Sequence, residues 1–252
     1  MTSLTVVGSI NLDFLVRVER LPRPGETLTA RAFTRGPGGK GANQAVAAAR
    51  LGAQVTMIGA VGDDELAGEA LSGLSAAGVE LDIERKGQTG VALIYVDSAG
   101  ENAIAVFPGA NGEVTPRAVG GAVLCQLEIP DAVVLAAAAE AEFFALNAAP
   151  ARVLDLEPDL LVVNELEHEV CSRGKLVAVT HGAAGASLFE DGREVARAAA
   201  PRVEVVDSTG AGDAFTAALV VSLLEGRDRQ EALERACAVG AEATTKLGAQ
   251  WI

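Results

Sequence analysis

The sequence of 252 residues has little of several residue types, and each shortage argues against a class of protein. Its three cysteines, Cys125, Cys171 and Cys237, stand far apart and form no CxxC pair. Neither a disulfide framework nor a zinc cluster is therefore predicted. The only histidines, His168 and His181, stand in no HExxH motif, and the chain has no GxSxG motif. A zinc hydrolase and a serine hydrolase are both disfavoured.

Basic residues and long apolar runs are also scarce. The chain has 20 Lys and Arg residues against 34 Asp and Glu residues, a net charge of −14 that repels nucleic-acid phosphates and anionic lipids. No apolar stretch approaches the roughly 20 residues that span a bilayer. The first residues, MTSLTVVGSINLD, resemble a short strand and not a secretory signal. We expect a cytoplasmic protein with no nucleic-acid or membrane partner.

Apolar, strand-like runs alternate with alanine-rich helical stretches along nearly the whole chain. This alternation is typical of a layered α/β fold with a parallel sheet between helices. The predicted strands are Leu4–Ile10, Val55–Val61, Leu124–Ile129, Phe143–Asn147, Leu160–Asn164, Leu176–Thr180 and Val203–Val206. The predicted helices are Ala42–Leu51, Glu65–Ala77, Asp131–Glu142, Ala214–Glu225 and Arg229–Lys246. Ligands of such sheets bind beyond the carboxyl ends of the strands, so we expect the site there.

Two segments, Phe14–Phe33 and Gly90–Phe107, interrupt the alternation. Both are predicted to form antiparallel strands in a small separate sheet. Such a sheet would close over a ligand as a lid, and the alternative is an extension that only covers the core. No repeat or linker divides the chain, so residues 1–252 are expected to form one domain.

The most informative motif is Asp207-Ser-Thr-Gly-Ala-Gly-Asp213, between a predicted strand and a predicted helix. Gly210 and Gly212 permit a tight turn that leaves backbone N–H groups free at a helix N-terminus, which is an anion-binding arrangement. Asp213 is then a candidate catalytic base, and a helix-capping residue is the alternative. The two glycines before it favour a base beside a phosphate cradle.

A second motif, Gly36-Pro-Gly-Gly-Lys-Gly-Ala-Asn43, leads into a helix. It fits GxGxxG poorly because it follows the lid segment and not a core strand, and Lys40 lacks the Ser or Thr that follows the lysine of a P-loop. We interpret it as a glycine-rich approach to a ligand, with Lys40 and Asn43 as polar donors. Asn11 and Asp13, after the first strand, would bind two hydroxyls of a sugar or, alternatively, form a turn.

These motifs together resemble the ribokinase branch of the PfkB carbohydrate kinase family. The resemblance covers nearly the full chain, and GGKGANQA and DSTGAGDAF together are specific for the family. The other matching segments, in order, are VVGSINLDF, LPRPGET, IGAVGDDELAG, GVALIYVDSAGEN, PGAN, QLEIP, LNAAPA and VVNELE. The resemblance implies a ribokinase-like three-layer α/β sandwich with a mostly parallel central sheet and a small β-sheet lid over about 14–33 and 90–107. It also implies ATP-dependent phosphorylation of D-ribose at the 5-hydroxyl.

The resemblance also implies a role for each site residue. Asp213 would be the general base, and Gly210, Ala211 and Gly212 would form the anion hole. The sugar would be held by Asn11, Asp13, Gly39, Lys40, Asn43, Glu128 and Asp213. The nucleotide would be bound by Asn164, Thr180, Gly182 and Gly212. Glu167 would act on Mg²⁺ through water, and Asp207, Thr209 and Gly248 would line a site for activating K⁺.

Members of this family dimerise through their lids, and the lid segments here carry alternating apolar residues. These are Val16, Val18, Leu21, Val91, Leu93, Tyr95, Ile104 and Val106. An uncovered apolar face is normally a contact surface, so a homodimer through the lids is expected.

The chain departs from the family pattern in three places, where it is shorter. These lie between Gly120 and Leu124, between Ala141 and Phe143, and between Glu169 and Lys175, close to the nucleotide side. Two alternatives therefore stay open: a kinase for another small sugar or nucleoside, and a non-catalytic sugar-binding protein on the kinase scaffold. His181 is expected to be a loop residue that moves no proton.

Overall fold

The computed structural model describes residues 2–99 and 101–250. Its strands are β1 Ser3–Val7, β2 Asn11–Arg17, β3 Ala32–Gly38, β4 Gln54–Val61, β5 Glu80–Arg85, β6 Gly90–Val96, β7 Asn102–Phe107, β8 Gly121–Gln126, β9 Ala141–Asn147, β10 Leu160–Asn164, β11 Leu176–Thr180, β12 Ala186–Glu190 and β13 Arg193–Ala198. Its helices are α1 Lys40–Arg50, α2 Leu66–Ala70, α3 Ser72–Ala76, α4 Asp131–Ala138, α5 Glu165–His168, α6 Ala211–Leu224 and α7 Arg229–Ala243. Short 3-10 helices span Gly109–Glu113 and Gly182–Ala184.

The large sheet has nine strands in the order β13-β12-β11-β10-β9-β8-β1-β4-β5. The seven strands from β11 to β5 run parallel. Strands β12 and β13 are antiparallel and form one edge. The predicted α/β fold with a mostly parallel central sheet is confirmed.

Successive residues of the central strands face opposite helical layers, because side chains alternate across a strand. Leu160 and Val162 of β10 join the core beneath α1, α2, α3, α6 and α7. Leu161 and Val163 join the second core, beneath α4 and the 3-10 helix at Gly109–Glu113. Burial on both faces explains why these strands are continuous apolar runs in the sequence.

The buried strands end in polar residues at a common edge of the sheet. Gln126 at the end of β8 is in register with Asn147 at the end of β9, and Asn164 of β10 is in register with Thr180 of β11. Parallel strands bring their carboxyl ends to one side, so the fold itself gathers these side chains.

The small sheet has four strands in the order β3-β2-β6-β7 and confirms the predicted second sheet. The bounds predicted as Phe14–Phe33 are wrong, because residues 18–31 form no strand and the two strands span Asn11–Arg17 and Ala32–Gly38. Strand β2 runs antiparallel to β3 and parallel to β6. One face carries Asn11 and Asp13 toward the edge of the large sheet, and the other exposes Leu93 and Tyr95.

The prediction that the alternating apolar residues of the small sheet form one exposed face is wrong in two respects. Val18 is buried, and its N–H donates to the carbonyl of Val96. Ile104 and Val106 are exposed but are in register with Ile94 and Ala92, so they lie on the opposite face from Leu93. The exposed apolar residues are thus divided between two faces.

The predicted strand Val203–Val206 is also wrong. This segment has no strand partner in the described ranges, and the N–H of Val206 donates to the carbonyl of Thr244 at 2.7 Å. The edge of the sheet is instead formed by the hairpin of β12 and β13. Its turn, Asp191-Gly192, has φ values of 49° and 72° and is a typical two-residue hairpin sequence that the sequence analysis overlooked.

Several predicted boundaries move because tertiary pairing overrides local propensity. The helix predicted over Asp131–Glu142 ends at Ala138, and β9 begins at Ala141 because that segment pairs with β8. The helix predicted over Glu65–Ala77 divides at Leu71, between Gly68 and Gly73. The strand predicted over Leu4–Ile10 ends at Val7, the strand predicted over Leu124–Ile129 ends at Gln126, and the helix predicted over Arg229–Lys246 ends at Ala243. No helix in the described ranges is long and apolar enough to cross a membrane.

Candidate active site

Asp213 lies in the first turn of α6, at the carboxyl edge of the sheet. The helix follows Gly210, which has a φ of 78°. A Cβ added at this position would lie 2.7 Å from the backbone of Ala249, so both the conformation and the space require glycine. The buried Asp213 carboxylate accepts a hydrogen bond at Oδ2 from Asn43 Nδ2 and another at Oδ1 from Gln44 Nε2, both 2.9 Å long. The donors come from α1, so these bonds are not helix caps.

The anion hole predicted at Gly210, Ala211 and Gly212 coincides with the first residues of α6. First-turn amides of a helix carry the positive end of the helix dipole, although here the N–H of Ala211 also donates to the carbonyl of Ser208 at 3.3 Å. A Cβ added at Gly212 would meet nothing within 4 Å, so space is open beside this backbone. The arrangement is able to receive a phosphoryl group next to the Asp213 carboxylate.

Lys40, the first residue of α1, is the cation of the site. Burial alone would lower the pKa of Lys40, but nearby carboxylates raise it above its usual value. These carboxylates belong to Asp213, Glu128, Glu167 and Asp13. Burial raises the pKa of Asp213 above its usual value, although Lys40 and the hydrogen bonds from Asn43 and Gln44 oppose this shift. The ammonium and the two amides thus favour the ionised form of a carboxyl that burial would otherwise keep protonated.

Glu128 lies just beyond β8 and is bound to the N-terminus of α1. Its Oε2 accepts the hydroxyl of Ser9 at 2.5 Å and the backbone N–H of Lys40 at 3.1 Å. The Ser9 oxygen in turn accepts the N–H of Gly41 at 3.3 Å. A carboxylate here is favoured by the helix dipole. Ser9 was missed by sequence reasoning, although it stands in the matching segment VVGSINLDF.

Asn11 is buried at the start of β2 and is oriented by another residue that the sequence analysis did not assign, Asn111. Asn111 Nδ2 donates to Asn11 Oδ1 at 2.8 Å and to the carbonyl of Ile10 at 3.0 Å. Asn111 Oδ1 accepts the N–H of Ile10 at 2.9 Å. These bonds fix the Asn11 amide with its nitrogen available as a donor. The segment PGAN was the available signal for Asn111.

Asp13 lies between Gly38 of β3 and the other acidic residues of the site. A Cβ at Gly38 would stand 2.1 Å from Asp13 Oδ2, so only glycine leaves room for this carboxylate. Burial and the charges of Glu128 and Asp213, opposed by Lys40, raise the pKa of Asp13 to about 7. Its Oδ1 is buried and has no hydrogen-bond partner. A buried oxygen without a partner is costly, and hydroxyl donors of a ligand would satisfy it.

The predicted nucleotide-side residues follow the same edge further along. Asn164 and Glu167 form a capping box at α5: Asn164 Oδ1 accepts the Glu167 N–H, and Glu167 Oε2 accepts the Asn164 N–H, both at 2.8 Å. Thr180 ends β11, and Gly182 begins a 3-10 helix. Neither Asn164 nor Thr180 contacts the group around Asp213 through a hydrogen bond of the described chain. His181 bridges Glu165 and Ser187, each at 3.0 Å.

The three residues predicted to bind K⁺ meet in one hydrogen-bonded loop. Asp207 Oδ1 accepts the N–H and the hydroxyl of Thr209, and Asp207 Oδ2 accepts the N–H of Gly248 at 3.0 Å. Burial alone would raise the pKa of Asp207, but these bonds lower it. A potassium ion requires oxygen ligands, and Asp207 has two carboxylate oxygens that already accept hydrogen bonds within this loop. The K⁺ site stays a prediction, and no step is derived through it.

A cavity of about 350 Å³ opens between the small sheet and residues 247–250. It extends from Asp13 past Leu15, Arg17 and Ile94 to Asp207 and Thr209. A larger cavity of about 520 Å³ lies at the opposite edge of the sheet, where Lys175 pairs with Asp159 and Arg229 with Glu190. We place the site at the Asp13 end of the smaller cavity, because Asp13 lines this cavity and also belongs to the group of carboxylates around Lys40.

The sequence profile of the pfkB family of carbohydrate kinases matches residues 1–156 and 157–251. The chain belongs to this family. It is 37% identical to the ribokinase of Bacillus subtilis over 281 aligned positions, which cover 99% of this chain and 95% of the relative. The crystal structure of the ribokinase of Thermotoga maritima superposes with a TM-score of 0.87 at 29% identity, covering 99% of this chain and 95% of that one. The structure of Arabidopsis thaliana ribokinase complexed with ribose and ATP superposes with a TM-score of 0.83 at 30% identity, covering 99% and 95%.

The raised pKa of Asp13 predicts a pH-dependent cost to stability. The carboxyl of the unfolded chain ionises near 3.8 and that of the folded kinase near 7, so stability falls between these values and the full cost persists above 7. Asp13→Asn removes the cost. We expect its melting temperature to match that of the wild type near pH 4 and to exceed it increasingly up to pH 8.

Asp64→Asn is the matched control for this experiment. Burial alone would raise the pKa of Asp64, but hydrogen bonds from Thr89 lower it, so this carboxylate stabilises the fold at neutral pH. Its variant should therefore be less stable than the wild type at pH 7. A constant difference between Asp13→Asn and the wild type across the pH range would contradict the prediction for Asp13.

Proposed function

We propose that this protein transfers the γ-phosphoryl group of ATP to the 5-hydroxyl of D-ribose. The observation that carries the proposal is the buried Asp213 carboxylate, held by α1 and adjoining the open first turn of α6. A relative agrees with it, since the structure of Arabidopsis thaliana ribokinase was solved complexed with ribose and ATP. The proposal includes the predicted cytoplasmic location, because ATP is the co-substrate, and one kinase domain over residues 1–252.

The proposed reaction is an in-line transfer with Asp213 as general base. The carboxylate takes the proton of the attacking hydroxyl as the oxygen bonds to the γ-phosphorus, and the bond to the β-phosphate oxygen breaks, which leaves ADP. The backbone at Gly210, Ala211 and Gly212 stabilises the charge on the transferring phosphoryl oxygens. The proton on Asp213 returns to solvent after product release.

The sugar is proposed to bind between the small sheet and the N-terminus of α1. Asp13 and Glu128 accept hydroxyl hydrogen bonds, and Asn11, Asn43 and Lys40 donate them, with Gly39 allowing close approach. Because Asp13 Oδ1 has no partner in the protein, its bond to a sugar hydroxyl adds to affinity without breaking another bond. This alternation of acceptors and donors suits a polyol.

Mg²⁺ is proposed to reach the site together with ATP. In the described ranges no group of three His, Cys, Asp or Glu side chains is placed to hold a metal, which agrees with an ion held mainly by phosphate and water. Glu167 fits this role through water, because its Oε2 accepts the N–H of Asn164 and so holds the carboxylate at the carboxyl end of β10. The ion would neutralise phosphate charge. Activation by K⁺ stays a prediction.

A non-catalytic sugar-binding protein is the second candidate, and one observation favours it. Helix α5 after Asn164 has four residues, Glu165–His168, where the sequence is shorter than the family pattern. A coupled assay of ADP release across ribose, deoxyribose, other small sugars and nucleosides, with and without K⁺, decides between the candidates. Turnover greatest with ribose supports the proposal; sugar binding without ADP release supports the second candidate.

Asp213→Asn tests the role of the base. We expect kcat to fall by on the order of 10²–10⁴, the usual contribution of a general base, while the calorimetric Kd for ribose changes little. The matched control is Asp228→Asn, an exposed aspartate at the start of α7 whose asparagine still caps the helix. Retention of more than about half of kcat in Asp213→Asn would remove Asp213 from this role.

We also propose a homodimer that forms through the outer face of the small sheet. Leu93 and Tyr95 of β6 and Phe107 of β7 lie on this face by register, and Phe33 of β3 joins them through its pairing with Val16. All four are exposed large apolar side chains. A second copy covering this face would remove the apolar surface from water.

Leu93→Glu tests the dimer. A charge placed in an apolar contact would not be paired, so light scattering at micromolar concentration should give a dimeric mass for the wild type and a monomeric mass for the variant. Leu135→Glu on α4 is the matched control, because Leu135 is exposed by 41% and Leu93 by 46%. A monomeric wild type with full activity would refute the dimer.

A further inference from the structure

Three buried side-chain amides stand behind Asp213, and the proposed mechanism does not use them. Gln44 of α1 and Gln126 of β8 are completely buried, and Asn147 of β9 is 8% exposed. A buried amide is costly unless its hydrogen bonds are satisfied, and in this group Gln126 Oε1 is buried without a hydrogen-bond partner in the described ranges. Gln126 and Asn147 lie at the ends of adjacent strands, and Gln44 of α1 connects both of them to Asp213.

The hydrogen bonds of these amides run in one direction. Gln126 Nε2 donates to Gln44 Oε1 at 2.6 Å. Gln44 Nε2 donates both to Asn147 Oδ1 at 3.0 Å and to Asp213 Oδ1 at 2.9 Å. Asn147 Nδ2 donates to the backbone carbonyl of Val162 at 3.1 Å. The network thus ends on a backbone carbonyl of β10, which accepts hydrogen bonds and cannot donate them.

That backbone carbonyl determines how every amide in the network is oriented. It accepts hydrogen bonds only, so Asn147 must turn its nitrogen toward Val162 and its oxygen toward Gln44. Gln44 must then present its nitrogen to Asn147 and, with the same group, to Asp213. If Gln44 rotated by 180°, its oxygen would face both the Asn147 oxygen and the Asp213 carboxylate.

We propose that Gln44 is a positioning residue, which holds the Asp213 carboxylate in the plane from which it takes the substrate proton. Gln126, Asn147 and the Val162 carbonyl fix the Gln44 amide in the donating orientation. Asn43 holds Oδ2 and Gln44 holds Oδ1, so rotation of the carboxylate about its Cβ–Cγ bond breaks one of the two bonds. The inference rests on the proposed role of Asp213 as base and adds a residue that does not touch the substrate.

The proposal makes a specific statement about pH dependence. A donor to the ionised carboxylate favours ionisation, so its removal raises the pH at which Asp213 loses its proton. The titratable groups that act on Asp213 are Lys40 on α1, Glu128 after β8 and Asp13 on β2. Substitution of Gln44 by methionine keeps these groups and nearly the same side-chain volume, while removing the donor.

The experiment measures pH–rate profiles of Gln44→Met and the wild type with ribose and ATP. We expect the acidic limb of kcat/KM to move upward by about 1–2 pH units, the shift that corresponds to one hydrogen bond to a charged group. At pH 7 kcat should fall, and it should recover in part at higher pH, while the Kd for ribose is nearly unchanged. Ser222→Ala on α6 is the control for loss of a buried polar contact, since Ser222 accepts from Arg235 far from the base.

Two further measurements separate this inference from the proposed function. Carboxyl ¹³C NMR, assigned with Asp213→Asn, follows the titration of Asp213 directly and should show the same upward shift in Gln44→Met, whether or not Asp213 is the base. In the Asp213→Asn background, Gln44→Met should lower kcat no further, because Gln44 acts through the carboxylate. An unshifted Asp213 titration, or an equal loss of kcat in both backgrounds, overturns the inference.

Gln126→Met provides a second variant if Gln44→Met does not fold. It frees Gln44 Oε1 while leaving the contact to Asp213 possible, so a shift in the same direction but of smaller size is expected. An acidic limb identical to that of the wild type in a folded Gln126→Met would contradict an oriented network.

Discussion

The candidate site depends on one half-buried ammonium surrounded by carboxylates. The charges of Asp213, Glu128, Glu167 and Asp13 act on Lys40, and without its positive charge it would be very costly to bring these negative groups together. Even with it, the pKa of Asp13 is raised to about 7. Hydrogen-bond donors elsewhere in the site stabilise the remaining negative charge. Two amides bind Asp213, and Ser9 and the N-terminus of α1 bind Glu128.

The sequence predicts the parts of this arrangement that are local. Alternating strands and helices predict a mostly parallel sheet, and polar residues after Val7, Gln126 and Val163 predict where its ligand edge lies. The two glycine motifs predict two helix N-termini at that edge, where Gly39 and Gly210 precede α1 and α6 with φ values of 88° and 78°. Family resemblance adds the roles of individual residues. Neither source needs a contact between residues distant in the chain.

What the sequence does not predict are such distant contacts. The Ser9–Glu128 bond joins residues 119 positions apart, and the Gln44–Asp213 bond joins residues 169 apart. Each partner alone is an ordinary polar residue, so apart from the family motifs that contain them no local pattern distinguishes Gln44 or Asn111 from a surface amide. The failed strand at Val203–Val206 has the same origin: its apolar alternation is real, but the hairpin of β12 and β13 occupies the edge. A strand forms only where another strand pairs with it, and that pairing is decided by the tertiary structure.

Asp213 is bound by neutral amides and not by a charged side chain, and the effect of each kind of partner on its pKa explains why. A charged partner for Asp213 in place of Gln44 would bind it more strongly, but it would also lower the pKa of the base and weaken it as a proton acceptor. A neutral amide fixes the geometry with a smaller effect on basicity. Lys40 interacts with several of these carboxylates at once, so its positive charge does not fully compensate any single one of them. Asp13 is accordingly left partly protonated near neutral pH, and hydroxyl donors of a bound sugar would favour its ionised form. Sugar binding and proton release are thereby coupled at the same carboxylate.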